Sequence, residues 1–417
     1  MKGFIKDGNK NRLRAQDIHK IVDTFTRQLE TLKYSRMVPL AEVEANDFNL
    51  NLPRYIDSAE PEDVQDIEAH LKGGIPNADI DGLAAYWQVF PNVRCELFGP
   101  LANAAERPGY SQPKVEASKV KAAIFGHAEF TAFNQSVTTL FGAWKAANTP
   151  LLTGIKQGDR PKALIETLAE SLLESFRSHE AIASLIDPYG VYQHLMDYWA
   201  ETMQDDAWMI ASEGWKALQD GKPNTDLIPP ALIVARYFTA EQSAIEQREA
   251  ERDAISRKME EMDEEHGGED GLLAEAKNDK GKLTKASVKA RQIEIKRDKD
   301  AADERKMLDA YADRIEQEAA AGKTAKDVQK TLDTKVAAKY AKLTEAEIKA
   351  LVVEDKWLAA LAASVQGELD RVSQALTGRI RQLAERYATP LPRLAEEAET
   401  LATRVDDHLK KMGFAWQ

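Results

Sequence analysis

Ile18, Ile21, Val22, Phe25, Leu29 and Leu32 recur at three- and four-residue steps, which predicts an amphipathic helix over residues 15–33. The same period dominates downstream. Val64, Ile67 and Leu71 form a short stripe, with Pro61 placed to start its helix and Gly73-Gly74 to end it. Ile80, Leu83 and Trp87 form the next, with Asn77 as cap and Pro91 as stop. After a loop rich in Pro and Gly at 99–113, longer helices are predicted over 115–147, 161–186 and 189–218. Leu164, Leu168, Leu172, Phe176 and Ile182 line one of them. Tyr192, Met196, Trp199, Met203 and Trp208 line another, and at that spacing they read as core.

Beyond Pro229-Pro230 the chain turns to Glu, Lys, Arg and Ala. The stretches 237–265 and 285–321 carry sparse apolar positions: Ile245, Ile255, Met259 and Met262, then Val288, Ile295, Ala302, Leu308 and Ile315. Gly267-Gly268, Gly271 and Gly281 lie between them, so an antiparallel coiled-coil arm is expected, loosest at its tip. The last part is the most regular. Leu358, Leu361, Val365, Leu369, Val372, Leu376, Ile380, Leu383 and Tyr387 alternate three- and four-residue steps, and Pro390 and Pro392 interrupt them. Leu394, Ala398, Leu401, Val405 and Leu409 resume the pattern, so a coiled-coil-like helical hairpin is expected. Its seams can close on each other, on the arm or on another subunit. Periodicity does not choose.

Two stretches break the helical period. Residues 37–43, interrupted by Pro39, read as a short strand. Phe48, Leu50 and Leu52 alternate with Asp47, Asn49 and Asn51 as a half-buried strand would, and Pro53 would end it or leave it on an edge. Residues 3–14 have the Gly and Asn content of a loop. The expected fold is mainly α, with a small strand-containing cap at 1–57, a helical domain at 58–228 and long helical hairpins over 229–417.

Composition narrows the function. With 43% hydrophobic and 30% charged residues and only 16 prolines, the chain suits a folded helical protein. A formal charge of −13 argues against holding a phosphate backbone unaided, because non-specific DNA affinity comes from Lys and Arg displacing counterions. Cys95 is the one cysteine, which excludes an internal disulfide and fits a reducing cytoplasm; a small half-buried side chain is its plain reading. Residues 1–14 are basic without a following apolar run, so no secretory signal is expected, and no apolar stretch is long enough to cross a bilayer. The expected location is cytoplasmic.

No catalytic residue emerges. The seven histidines include no pair at metal-ligand helical spacing, and no Gly-x-x-x-x-Gly-Lys phosphate loop occurs. Phe125-Gly126-His127 and Phe141-Gly142 are single glycines within helical patterns. Asp187-Pro188-Tyr189 has one proline between two helices, where Pro188 breaks a helix and Asp187 caps the next.

The residues of 46–57, Asn46-Asp47-Phe48-Asn49-Leu50-Asn51-Leu52-Pro53-Arg54-Tyr55-Ile56-Asp57, say more than their alternation. With Tyr34-Ser-Arg-Met-Val-Pro-Leu40 before them, they resemble the region after the catalytic domain in M subunits of type I restriction–modification systems, which are adenine-N6 DNA methyltransferases. Asn46, Asp47, Phe48, Asn49, Leu50, Asn51, Arg54 and Tyr55 carry the resemblance. It continues through Gly73-Gly74-Ile75-Pro76, Asp79-Ile-Asp-Gly-Leu83 and Tyr86-Trp87, more weakly at Pro108-Gly-Tyr110, and again over the last sixty or so residues.

The resemblance implies that residues 3–14 follow a late strand of a methyltransferase sheet and that the helical tail docks onto the specificity (S) subunit. The seam expected to do so is Leu369, Val372, Leu376, Ile380, Leu383, Leu401 and Val405. A restriction (R) subunit is a further partner, DNA is met only through the assembled complex, and an unfilled seam could pair two copies. The complete family protein uses S-adenosylmethionine, seated by a Gly-rich turn after a strand, and holds a flipped adenine with an Asn- or Asp-Pro-Pro-aromatic loop. This chain has neither motif, so an assembly region inactive by itself is expected, whether a truncated gene or a natural split. The alternatives are a half-enzyme that methylates adenine only when joined to a catalytic half, and an unrelated coiled-coil scaffold.

Overall fold

The computed structural model describes residues 4–57, 64–298 and 300–414, and it is mainly α-helical. The helix start expected at Pro61 lies outside the described residues. Two compact units are present, one made of residues 1–212 and 357–417, the other of residues 213–356. The tail helices therefore belong with the amino-terminal unit, not with the arm as the three-part division had it.

The first unit begins with a hairpin, β1 (Ile5–Asp7) and β2 (Lys10–Arg12), turned at Gly8 with φ 59°. The stretch expected as a loop thus carries a hairpin over residues 5–12. Helix α1 (Ala15–Arg27) follows and stops earlier than its apolar period, because Gln28 turns left-handed at φ 53°. Residues 37–43 form no strand; Pro39 precedes a short helix, α2 (Leu40–Ala45). Nor do residues 46–57. Asp47 and Phe48 both stand at φ 56°, which no strand can hold, and a 3₁₀ turn covers Leu52–Arg54.

Four short helices come next. Helix α3 (Ile67–Lys72) is capped by Asp66 and ended by Gly73 at φ 76°. After β3 (Ile75–Pro76) come α4 (Asn77–Asp81), α5 (Ala84–Val89) and α6 (Pro91–Leu97), so Asn77 is the first helical residue rather than the cap, and Pro91 starts a helix as well as stopping one. Strands β4 (Phe98–Pro100) and β5 (Tyr110–Pro113) complete an antiparallel sheet in the order β3-β5-β4. The helix expected over 115–147 divides into α7 (Val120–Gly126) and α8 (Ala128–Thr153). His127 sits between them as a cap, its Nδ1 accepting from the Glu129 amide at 3.0 Å.

Helices α9 (Pro161–Arg177), α10 (Glu180–Ala183), α11 (Pro188–Tyr198) and α12 (Gln204–Glu213) supply most of the remaining core, with a π-helical turn at Trp199–Met203. Leu168, Leu172 and Phe176 are fully buried as their stripe predicts, but Trp208 is exposed.

In the second unit, β6 (Leu218–Gln219) and β7 (Lys222–Pro223) form a small hairpin before α13 (Pro230–Tyr237). Helix α14 (Thr239–His266) packs along α16 (Ala302–Tyr340). They run antiparallel, since Glu241 pairs with Lys335 at 3.0 Å and Ser256 with Glu318 near the other end. Helix α15 (Lys285–Glu294) joins them at the tip. The tip, expected to be the loosest part, holds its own core of Leu273, Ala276, Val288, Ile295, Leu308 and Tyr311. Helix α17 (Glu345–Lys349) and a π-helical stretch, Ala350–Leu358, lead into α18 (Ala359–Arg386) and α19 (Leu391–Lys411).

The expected tail hairpin does not form. Helix α18 packs against α7 and α11, while α19 touches α3 and leaves all its residues out of the core.

Candidate assembly surfaces

Helix α1 is mounted by its charged side. Asp23 is only 7% exposed, and its carboxylate accepts hydrogen bonds from Arg177 Nη2 at 2.6 Å and Tyr189 Oη at 3.0 Å. Arg27 Nε stands at 3.4 Å and His19 Nε2 at 3.7 Å from the same group. His19 stacks on Tyr192 with ring centroids 4.7 Å apart, and Glu170 lies within 3.4 Å of its Nε2. Gln193 of α11 accepts from the Gln16 amide at 2.9 Å, satisfying one of the open donors at the start of α1. Burial, and then the bond to Asp23, push the Tyr189 hydroxyl up to about 12, so it stays a donor at neutral pH.

The consequence is an inverted amphipathic helix. Ile18, Ile21, Val22 and Phe25 all face solvent, Phe25 with 84% of its surface exposed. Sequence periodicity found this stripe and, as is usual for a folded domain, would put it inward. The structure turns it out because a buried carboxylate needs its cations and donors, and these lie on α9 and α11. Leu32, Phe48, Leu50 and Leu52 are exposed as well, giving residues 4–57 an unusual load of uncovered apolar side chains.

The family-like residues 46–55 form a compact turn. Asn46 Nδ2 donates to the Glu42 carbonyl at 2.9 Å, Asn49 Oδ1 accepts from the Asn51 amide at 3.0 Å, and Tyr55 Oη donates to the Asn49 carbonyl at 2.6 Å. Arg36 grips Glu42 and also reaches the Tyr55 carbonyl at 3.3 Å. The asparagines thus hold backbone in a shape that ordinary alternation would not adopt, and Phe48, Leu50 and Leu52 project from it.

The other family-like motifs meet around the root of α19. Tyr387, at the end of α18, donates to Asp79 Oδ2 at 2.9 Å and accepts from the Asp66 amide at 3.4 Å. Tyr110 donates to the Asp66 carboxylate at 3.1 Å, and Arg107 lies over the Tyr110 ring at 4.0 Å while donating to the Gly73 carbonyl at 2.7 Å. A Cβ on Gly73 would meet Pro390 at 3.4 Å, so this glycine serves both its left-handed turn and a close approach. A cleft of about 480 Å³ opens there, lined by Gly74, Leu101, Pro113, Tyr387 and Pro390 among others.

The seven seam residues separate into two groups. Leu369, Val372, Leu376, Ile380 and Leu383 are buried, none above 2% exposed, on the face of α18 that packs into the unit. They fill the core and are not open to a partner, which corrects the expectation for those five. Leu401 and Val405 on α19 are 57% and 56% exposed, and Leu391 and Leu394 are exposed beside them.

Asp187 caps α11 by accepting from the Tyr189 amide at 3.1 Å, the role expected of it. Cys95 is exposed rather than half-buried. Among the described residues no three His, Cys, Asp or Glu groups converge as metal ligands, and no helix is long and apolar enough to cross a membrane. The residues present do not fit S-adenosylmethionine: the described sheets are small and antiparallel, and none feeds a Gly-rich turn into a helix.

The N-6 DNA methylase family model matches residues 1–64, the stretch that carries α1 and the asparagine-rich turn. No curated protein and no solved structure matches the chain. Over that stretch, and there alone, the chain is similar to N-6 DNA methylases.

Proposed function

We propose that this chain is an assembly region of a type I restriction–modification M subunit, the part that follows the methyltransferase sheet and joins it to other subunits. The observation that carries the reading is the outward apolar face of α1. A helix fastened by a buried ionic network, with Phe25, Ile18, Ile21 and Val22 in solvent, is built to be covered, and it lies within the part matched to the methylases. A methyltransferase catalytic domain is the natural cover. The second surface is α19, whose Leu394, Leu401 and Val405 would dock on the helices of a specificity subunit. DNA would be met through that assembly, consistent with a charge of −13 on this chain.

The test is binding of the full chain to a separately produced catalytic domain of this family that carries the Gly-rich turn and the Asn-Pro-Pro-aromatic loop. A complex weakened at least tenfold by Ile21→Asp with Phe25→Asp, and untouched by Glu316→Gln on the arm, supports the reading. Unaltered binding by the double variant removes α1 from the interface and overturns it.

A further inference from the structure

Helix α19 has a strict two-position seam. In heptad terms Leu391, Ala398, Val405 and Met412 occupy a, and Leu394, Leu401 and His408 occupy d. Residues 391–408 are all exposed, so the contact of α19 with α3 leaves this seam open. We propose that two copies of this chain pair through α19 in antiparallel orientation. This goes beyond docking onto a specificity subunit, and it would compete with that docking for the same residues.

Charge and size select the occupant and its direction. An antiparallel pair centred between Ala398 and Leu401 sets Ala398 against Leu401 of the second copy, Leu394 against Val405, and Leu391 against His408. In this register the g positions face each other, bringing Glu397 opposite Arg404 twice by symmetry. Arg404 has no carboxylate within ion-pair distance among the described residues, and Glu397 holds only the exposed Arg393 at 3.2 Å. The e positions on the other flank, Ala395 and Ala402, are small and allow the helices to approach closely. A parallel pair would instead set Glu397 beside Ala402 and Arg404 beside Leu409, with no ion pair at either place. The outer ends of the seam are weak, since His408 is polar, so the expected pair is a modest one that a better-matched helix displaces.

Sedimentation velocity on the full chain, from about 1 to 200 μM, reads this directly. The expected result is a monomer–dimer equilibrium. Either Glu397→Arg or Arg404→Glu should weaken association about tenfold, through two opposed like-charge contacts, and the two together should restore it. Leu401→Asp should abolish it. Because α19 holds no core residue, helix content and thermal midpoint, read at about 1 μM where the chain is largely monomeric, should not move in any variant, which separates lost pairing from lost folding. A monomer over the whole range overturns the proposal, as does association indifferent to the single reversals or not restored by the double. Either outcome leaves docking on a specificity subunit to be judged by co-purification, so the two readings fail separately.

Discussion

Replacing Asp23 with alanine should release α1 from the unit that carries it. The helix has almost no apolar attachment, since Asp23 is its one buried residue and its large apolar side chains point into solvent. Its hold is the set of contacts at the carboxylate: Arg177 at 2.6 Å, Tyr189 at 3.0 Å and Arg27 at 3.4 Å. Breaking a buried ion pair by removing one partner costs about 3–5 kcal/mol when the other charge is stranded. Arg177 is not fully stranded, because Glu174 remains 3.3 Å away and a fifth of its side chain meets solvent. The expected cost is therefore about 2–3 kcal/mol, just below that range. Read as local opening, it means amide exchange over Ala15–Arg27 faster by roughly 30- to 150-fold, with α8 and α9 unchanged. Tyr189→Phe should give a smaller effect, about 1–2 kcal/mol, since it removes one hydrogen bond to a charged acceptor. Exchange at α1 unaffected by Asp23→Ala would refute the argument that charge fastens this helix.

Three further outcomes follow from the same packing. His194 Nε2 meets Glu368 Oε1 at 3.0 Å between α11 and α18; the bond to Glu368 raises the imidazole above 6.5, and the same bond lowers the carboxyl below 4.5. The histidine's contribution is complete below pH 6.5 and fades as pH rises through its raised value, whereas the carboxylate's is present above pH 4.5 and fades as pH falls through its lowered one. Stability titrated from pH 6 to 8 should therefore decline less steeply in His194→Gln, by about 0.5–1 kcal/mol given how much of this histidine is in solvent. Leu376→Asp should destabilise the first unit by at least about 4 kcal/mol in denaturant unfolding, because Leu376 is 1% exposed, while Leu401→Asp should change it by under about 0.5 kcal/mol. Tyr387→Phe should cost about 1–2 kcal/mol and speed exchange at the Asp66 amide, since both its polar contacts hold the root of α19.

The helices were largely legible because their apolar periods are long; what periodicity could not supply was which way each stripe faces. The stripe at Ile18, Ile21, Val22 and Phe25 looks like any core-facing helix until Asp23 is seen to bond Arg177 and Tyr189, more than a hundred and fifty residues away. Phe48, Leu50 and Leu52 alternate like a strand, yet two successive left-handed residues, Asp47 and Phe48, bend the chain into a turn that its asparagines secure. The two tail helices share one period and part company in width. On α18, Ser373 and Thr377 are buried beside Val372 and Leu376, a broad stripe that suits a helix packed within a unit. On α19 the stripe is two positions wide, the mark of a seam for a single facing helix. That difference was present in the sequence and would have distinguished the five core residues from Leu401 and Val405. His127 as a cap, and the meeting of Asp66, Asp79, Tyr110 and Tyr387, left no such signal, because each depends on partners remote in the chain or on an unusual side-chain role.

Co-purification of the full chain with the proposed partner, a type I specificity subunit encoded beside it, at moderate salt, tests the assembly proposal most directly. The account predicts a complex that survives screening of surface charge, because its contact is apolar, and that is lost when Leu401 and Val405 become aspartate while the fold is unchanged. A complex that forms equally well with both residues replaced would contradict it.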